Sequence, residues 1–107
     1  MSMGTTVATE KVVSDALKIE LLHIMSQPTR RKALEILLKY DKPLYIKEIA
    51  QKIRSSERNT SFHLATLAKR KIVEGEFRPI DSEDGRAGKF YKLNPKTKRI
   101  VKKIIEI

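Results

Sequence analysis

Hydrophobic residues recur at helical spacing in five stretches of this chain. Apolar side chains three and four positions apart predict helices over about 9–26, 28–40, 45–53, 56–70 and 95–106. The third and fourth stretches are short, and only a few residues separate them. The pattern therefore predicts a mainly helical protein.

Between residues 72 and 93 the pattern changes to that of two strands. Both are rich in β-branched and aromatic residues, and they flank the turn-rich loop 81–88. We predict a β-hairpin with a long tip. Residues 1–8 are small and polar without a period, so we predict a disordered leader there and a single domain over 9–107.

The turn between the third and fourth helices is Arg54-Ser55-Ser56, whose serine hydroxyls can cap the helix that follows. Two short amphipathic helices joined by a tight turn are the signature of a helix-turn-helix. With the hairpin and the closing helix after it, the order is that of a winged helix-turn-helix domain. We predict this fold class, mainly α with a β-hairpin wing.

The fourth helix has two different faces. Thr60, Leu64 and Leu67 form a core stripe at steps of three and four, and the other side carries small polar residues, aromatic rings and a cationic end. Such a face suits the major groove of DNA, where side chains meet base edges and phosphates together. The DNA-contacting residues that we expect on this helix are Ser56, Arg58, Asn59, Ser61, Phe62, His63 and Lys69.

Several of these residues keep two interpretations. Arg58 can bind a guanine edge or contact a phosphate, and Asn59 can read adenine or only serve the helix start. Phe62 can touch a thymine methyl group or pack under the wing. His63 is expected to be structural or to contact a phosphate, since no second His, Cys or carboxylate pair near it indicates catalysis.

The net charge of +10 is concentrated in one part of the chain. Residues 1–41 carry six Lys or Arg and five Asp or Glu, whereas residues 42–107 carry seventeen and eight. This imbalance favours a polyanionic partner, either nucleic acid or an anionic membrane surface, although a lysine-rich thermophile surface is an alternative.

Cysteine is absent, which excludes disulfides, Cys-based zinc sites and thiol catalysis and favours a cytoplasmic protein. No apolar stretch approaches the roughly 18 residues that span a bilayer, and the start of the chain lacks an apolar signal core. We expect no membrane partner.

The wing offers a second set of basic residues. Arg86 lies between Gly85 and Gly88, and a flexible tip with one arginine suits a narrow minor groove. Acidic residues of the same loop count against this contact, because they would face phosphates. Lys89 is the second predicted wing contact. The other predicted phosphate contacts are Lys47, Arg54 and Arg70.

Several short motifs resemble those of the ArsR-type repressors. Residues 26–30 (SQPTR) are similar to the "DPTR" start of their second helix, and residues 47–50 (KEIA) to their "ELA" helix. Residues 61–64 (SFHL) resemble the serine–histidine–leucine motif of their recognition helix. Gly85-Arg86 and residues 90–93 (FYKL) resemble their wing and its closing strand.

The resemblance implies a homodimeric transcription regulator whose first and last helices pack on those of its partner. Five large aliphatic residues fall within 100–107, more than a small domain readily covers alone, although this helix can instead fold back on its own first helix. The predicted dimer-interface residues are Val13, Leu17, Leu21, Ile100, Val101, Ile104 and Ile105.

Metal sensing is not implied. Metal sensors of that family bind zinc, arsenic or cadmium through paired cysteines or through Asp and His on the last helix, and residues 95–107 contain neither Asp nor His. We expect no metal and no cofactor, as in a non-sensing branch similar to the archaeal members. His23, alone on an apolar helix, is expected at an interface.

The sequence thus predicts sequence-specific binding of double-stranded DNA by a homodimer that regulates transcription, as a repressor that occludes a promoter. The alternative is a winged helix subunit that binds protein or RNA within a transcription or RNA-processing complex. We do not expect an enzyme, because the only clustered carboxylates lie on the wing loop.

Overall fold

The computed structural model describes residues 15–81 and 85–106. Predicted features at Val13 and in the leader lie outside the described residues. The elements, in chain order, are helix α1 over 15–25, α2 (Pro28–Tyr40), strand β1 (Leu44–Tyr45), α3 (Ile46–Ile53), α4 (Glu57–Lys69), β2 (Val73–Asp81), β3 (Arg86–Leu93) and α5 (Pro95–Ile105). The predicted winged helix-turn-helix fold class is confirmed.

Side chains set the start of three helices. Gln27, Ser56 and Asn94 each accept a hydrogen bond from a backbone N–H of the first turn, at 2.8, 3.0 and 3.0 Å respectively. These bonds satisfy amides that have no partner within the helix. Pro28 and Pro95 follow two of the caps, where a missing N–H costs nothing. The starts of α2, α4 and α5 are therefore determined by residues next to them in the sequence.

The short strand β1 was not foreseen from the sequence. Leu44 pairs with Tyr91 and Tyr45 with Phe90 in an antiparallel ladder, so α3 begins only at Ile46. A strand of two residues is too short to show the alternating pattern of apolar and polar residues by which strands are predicted. Only the pairing with β3 makes this segment a strand.

The three strands form one antiparallel sheet in the order β1-β3-β2. The hairpin of β2 and β3 runs in register from Val73 opposite Leu93, with an irregularity between Pro79 and Asp81. The Tyr45 ring packs over Gly88, where a Cβ would overlap the ring. This contact holds the base of the wing against β1.

The core lies where the helices meet the base of the sheet. Thr60, Leu64 and Leu67 of α4 are all 0% exposed, which confirms the predicted core stripe of that helix. The fully buried side chains that surround them come from the other elements: Leu21, Ile24, Leu34, Leu37, Leu44, Ile49, Ile72, Val73, Val101 and Ile104. This packing fixes which side of α4 faces outward.

Within residues 15–81 and 85–106, none of the helices combines the length and the apolar character needed to cross a membrane.

Candidate nucleic-acid interface

The structure brings several of the predicted contact residues together on the outer side of α4. Arg58, Asn59, Ser61, Phe62 and Lys69 are all exposed, on the side opposite the core stripe. Ser56, just before the helix, is exposed as well. Since the helix is held by its buried side, these side chains can meet a ligand without any rearrangement of the fold.

Phe62 is an exposed aromatic residue at the centre of this surface. Its side chain is 68% exposed, and its ring meets that of His63 edge-on at 5.3 Å between centroids. The alternative that Phe62 packs under the wing is therefore wrong. An apolar ring left in water on a polar helix face is available to an apolar group such as a thymine methyl.

The start of α4 is held by a small hydrogen-bond network. Ser56 Oγ accepts a 3.0 Å bond from the Asn59 backbone N–H, and Asn59 Nδ2 donates to Ser55 Oγ at 2.9 Å. Asn59 thus serves the helix start. Within residues 15–81 and 85–106, no other hydrogen bond is made by its Oδ1 atom or its second amide proton.

His63 lies beneath the outer side of α4. It is 8% exposed, and its Nδ1 atom is buried with no hydrogen-bond partner in the described part of the chain, as are Thr60 Oγ1 and Arg30 Nε. Burial, and then the nearby charge of Arg30, lower the pKa of His63 from its ordinary value of 6.5. His63 is a structural residue, which corrects its place among the DNA-contacting side chains.

Arg30 is close to His63, a position that its sequence neighbours do not indicate. It lies in the first turn of α2, and its Nε atom is buried close enough to act on His63. The sequence shows that Arg30 belongs to the motif 26–30. Its approach to α4 depends on how the two helices pack, and no spacing rule reports that.

The other predicted phosphate contacts differ in their surroundings. Lys47 and Arg54 are exposed, and Arg54 ends α3 in a left-handed conformation with φ of 55°. Arg70 is exposed but forms a 2.9 Å salt bridge with Glu20 of α1. A phosphate at Arg70 would have to share the guanidinium with that carboxylate.

The wing places Arg86 at the start of β3, directly after Gly85, which has φ of 65°. A positive φ of this size is accessible to glycine at no steric cost, so Gly85 suits the turn. Lys89 follows on the same strand and is partly buried. The tip residues 82–84 lie outside the described part of the chain.

Three of the predicted dimer-interface residues belong to the core of the single chain. Leu21 and Val101 are 0% exposed and Ile104 is 2% exposed. This is a correction: α5 packs on α2 of its own chain, and these side chains are not free for a partner. Periodicity marks a buried face, but it cannot tell which chain covers that face.

Other apolar side chains on the same helices do reach the surface. Ile19 is 68% exposed and Leu22 is 49% exposed, on adjacent turns of α1. Leu17, Ile100 and Ile105 are half-buried at the edge of the core. Ile19 and Leu22 are not among the residues predicted for the dimer interface, although their spacing of three residues on an apolar helix was a signal.

Among the described residues, no three Asp, Glu or His side chains are grouped so that they could hold a metal ion.

The fold and the exposed side of α4 define a winged helix-turn-helix domain, the class of module whose second helix enters the major groove. In agreement, the family described as a helix-turn-helix domain matches residues 25–76. No curated protein sequence matches the chain.

Solved structures with the same fold include several bacterial proteins. Reduced HlyU from Vibrio cholerae is similar at 25% identity and a TM-score of 0.64, over 92% of this chain and 94% of HlyU. MepR of S. aureus in complex with DNA is similar at 18% identity and a TM-score of 0.64, over 99% of this chain and 82% of MepR.

A third structure is ZitR from Lactococcus lactis, described as a zinc-responsive MarR family member. It is 16% identical with a TM-score of 0.58, over 75% of this chain and 51% of ZitR. The chain therefore spans about half the length of ZitR.

Proposed function

We propose that this protein is a transcription regulator that binds double-stranded DNA sequence-specifically, with α4 in the major groove. The outward side of α4 is the observation that carries the proposal. Arg58, Asn59 and Phe62 stand exposed on it, and together they supply a guanidinium, an amide and an apolar ring. Guanine, adenine and the thymine methyl are the groups that such side chains recognise in the major groove.

The charge distribution supports the same partner. Arg58 and Lys69 are exposed, and neither has a carboxylate partner within residues 15–81 and 85–106. Lys47 and Arg54 on the first helix of the motif, and Arg86 on the wing, add cations on neighbouring elements. If a dimer contacts roughly eight phosphates, the logarithm of affinity falls with the logarithm of salt at a slope near −7.

We propose further that the regulator is a homodimer and that it represses by occluding a promoter. Ile19 and Leu22 of α1 support this assembly, because two large aliphatic side chains on adjacent turns lie largely in water in the single chain. Two recognition helices related by a two-fold axis would address half-sites about 34–36 Å apart in a near-palindrome. MepR, which has the same fold, is seen in complex with DNA.

The motif resemblance described above supports an ArsR-type regulator, from a branch that does not sense metals, acting in the cytoplasm.

Selection of bound duplexes from a random pool tests the proposal directly. We expect a two-fold symmetric consensus, which would establish the ligand, its specificity and the dimer geometry together. A monomer by light scattering, with no duplex binding at moderate salt, would instead favour the alternative in which the basic surface meets RNA or an acidic protein.

The dimer has its own test. Leu22→Glu should give a monomer in light scattering and weaken binding to the selected duplex, because a carboxylate would be buried against an apolar partner. Tyr40→Glu introduces the same group at an exposed position of α2, outside the proposed interface, and serves as the control. A Leu22→Glu variant that stays dimeric would remove this face from the interface.

A further inference from the structure

The two faces of the wing carry different chemistry. Side chains alternate along β2 and β3, so Val73, Gly75, Phe77, Lys89 and Tyr91 share one face, here called the inner face. The other, outer face holds Glu74, Glu76, Arg78, Phe90 and Lys92. The outer cations are paired, Lys92 with Glu74 at 3.7 Å and Arg78 with Glu76 at 2.8 Å. The inner face has one cation and no carboxylate among these residues.

The inner cation, Lys89, is held in place by two aromatic rings. Its Nζ atom lies 4.5 Å from the ring centroid of Phe77, the residue directly across the ladder. It lies 5.9 Å from the centroid of Tyr91. An ammonium group at these distances is attracted to the negative faces of the rings. The side chain therefore has a preferred position before any ligand arrives.

Gly75 makes this arrangement possible. A Cβ at residue 75 would lie 2.8 Å from Lys89 Cε and 2.7 Å from Tyr91 Cε1, closer than real Cβ contacts come. Without a side chain at this position, the lysine stem and the tyrosine ring can both lie flat over β2. Glycine weakens a strand interior, so a close approach of other groups is the physical reason to find it there.

The inner face begins in the core, where β2 packs against α4. Val73 and Tyr91 are buried in the same cluster as Leu64 and Leu67 of α4. Farther along the hairpin, Phe77 on the same face is 71% exposed. The inner face thus ends in an exposed ring and a cation, on the hairpin that directly follows α4 in the chain.

We propose that Phe77 and Lys89, supported by Gly75 and Tyr91, form a clamp for one sugar–phosphate unit of the DNA backbone. The Lys89 ammonium pairs with the phosphate through the N–H groups that point away from the rings. The exposed Phe77 ring packs on the deoxyribose. Because the lysine is already positioned by the rings, binding loses less side-chain freedom than it would for an unsupported lysine.

This inference rests on the proposed binding of double-stranded DNA. It adds Phe77 and Gly75 to the interface, and it assigns Lys89 to a backbone phosphate and not to a base.

The salt dependence of binding to the selected duplex tests the clamp, with Lys89→Ala compared with Lys92→Ala. Both variants lose one positive charge from β3, but on opposite faces. Lys89→Ala should reduce the salt slope by roughly 2 per dimer, one phosphate per subunit, so that the affinity loss from 50 to 200 mM salt becomes about tenfold smaller. Lys92→Ala should keep the wild-type slope.

Two variants test the support of the lysine without a change of charge. Phe77→Leu, at a position that is 71% exposed, should fold normally and bind the duplex several-fold more weakly. Gly75→Ala should weaken binding by displacing Lys89, and its melting temperature separates that effect from a loss of fold.

Each of these measurements has an outcome that would overturn the clamp. Equal slopes for Lys89→Ala and Lys92→Ala, or wild-type affinity for Phe77→Leu, would overturn the clamp while leaving the duplex consensus in place. If the wild-type protein binds no duplex at all, the clamp and the proposed function fall together.

Discussion

Thr97 Oγ1 of α5 lies 2.9 Å from the carbonyl oxygen of Ile72, the residue directly before β2, and 3.0 Å from that of Asn94. The Asn94 side chain donates a second bond, of 2.8 Å, to the carbonyl of Lys71. The segment that follows α4 is thus joined to the start of α5 by side-chain hydrogen bonds. Thr97 is 7% exposed, so water cannot easily replace its bond.

We expect Thr97→Val to lower the free energy of unfolding by about 1 kcal/mol, because the hydroxyl is lost while the shape is kept. Urea titration measures this change. Thr66→Val is the matched control, since Thr66 Oγ1 bonds only within α4, at 3.1 Å to Phe62 O, at an exposed site. A Thr97→Val protein as stable as the wild type would show that the bond contributes nothing.

His63 should make the protein less stable in mild acid. Burial, and then the charge of Arg30, hold its folded-state pKa below 6.5, whereas the unfolded chain takes up the proton near 6.5. As pH falls below 6.5, the unfolded state therefore binds more protons, and stability is lost until the pH passes the folded pKa.

Thermal melting at pH 7.5 and pH 5.5 measures this effect. From pH 7.5 to pH 5.5, the melting temperature of the His63→Gln variant should fall less than that of the wild type. A melting temperature of His63→Gln that falls as much as that of the wild type would assign the effect to other groups.

Arg58 and Lys69 should differ in what they contribute to DNA binding. Arg58→Ala should lose roughly 1–3 kcal/mol of discrimination between the selected and random duplexes, because a bidentate contact to a base edge is lost. Lys69→Ala should weaken binding to all sequences alike, as expected for a phosphate contact. Titration of both duplexes checks this. An equal loss on both duplexes for Arg58→Ala would remove its base-reading role.

Local signals predicted the fold class well. The cap at Ser56 and the stripe of Thr60, Leu64 and Leu67 on α4 depend only on neighbouring residues along the chain. Hydrogen bonds of a first turn and the 3.6-residue period act over a few positions. A sequence therefore displays them directly.

The candidate site was predicted less completely, for two reasons. His63 lies three residues after Thr60 and four before Leu67, so the helical period places its ring beside the core stripe, whereas the Phe62 ring points about 100° away and is exposed. The predicted set of DNA-contacting residues overlooked this spacing. Leu21 and Val101 were assigned to a partner chain because periodicity reports burial without identifying the neighbour.

By itself, the sequence determined the helices, the hairpin and the polar side of α4, since these follow from periodicity, caps and turn residues that act locally. Tertiary structure alone decided the pairing of β1 with β3, the approach of Arg30 to His63, and the position of Lys89 over Gly75. The reason is that each of these depends on contacts between residues far apart in the chain, and such contacts exist only after the elements pack.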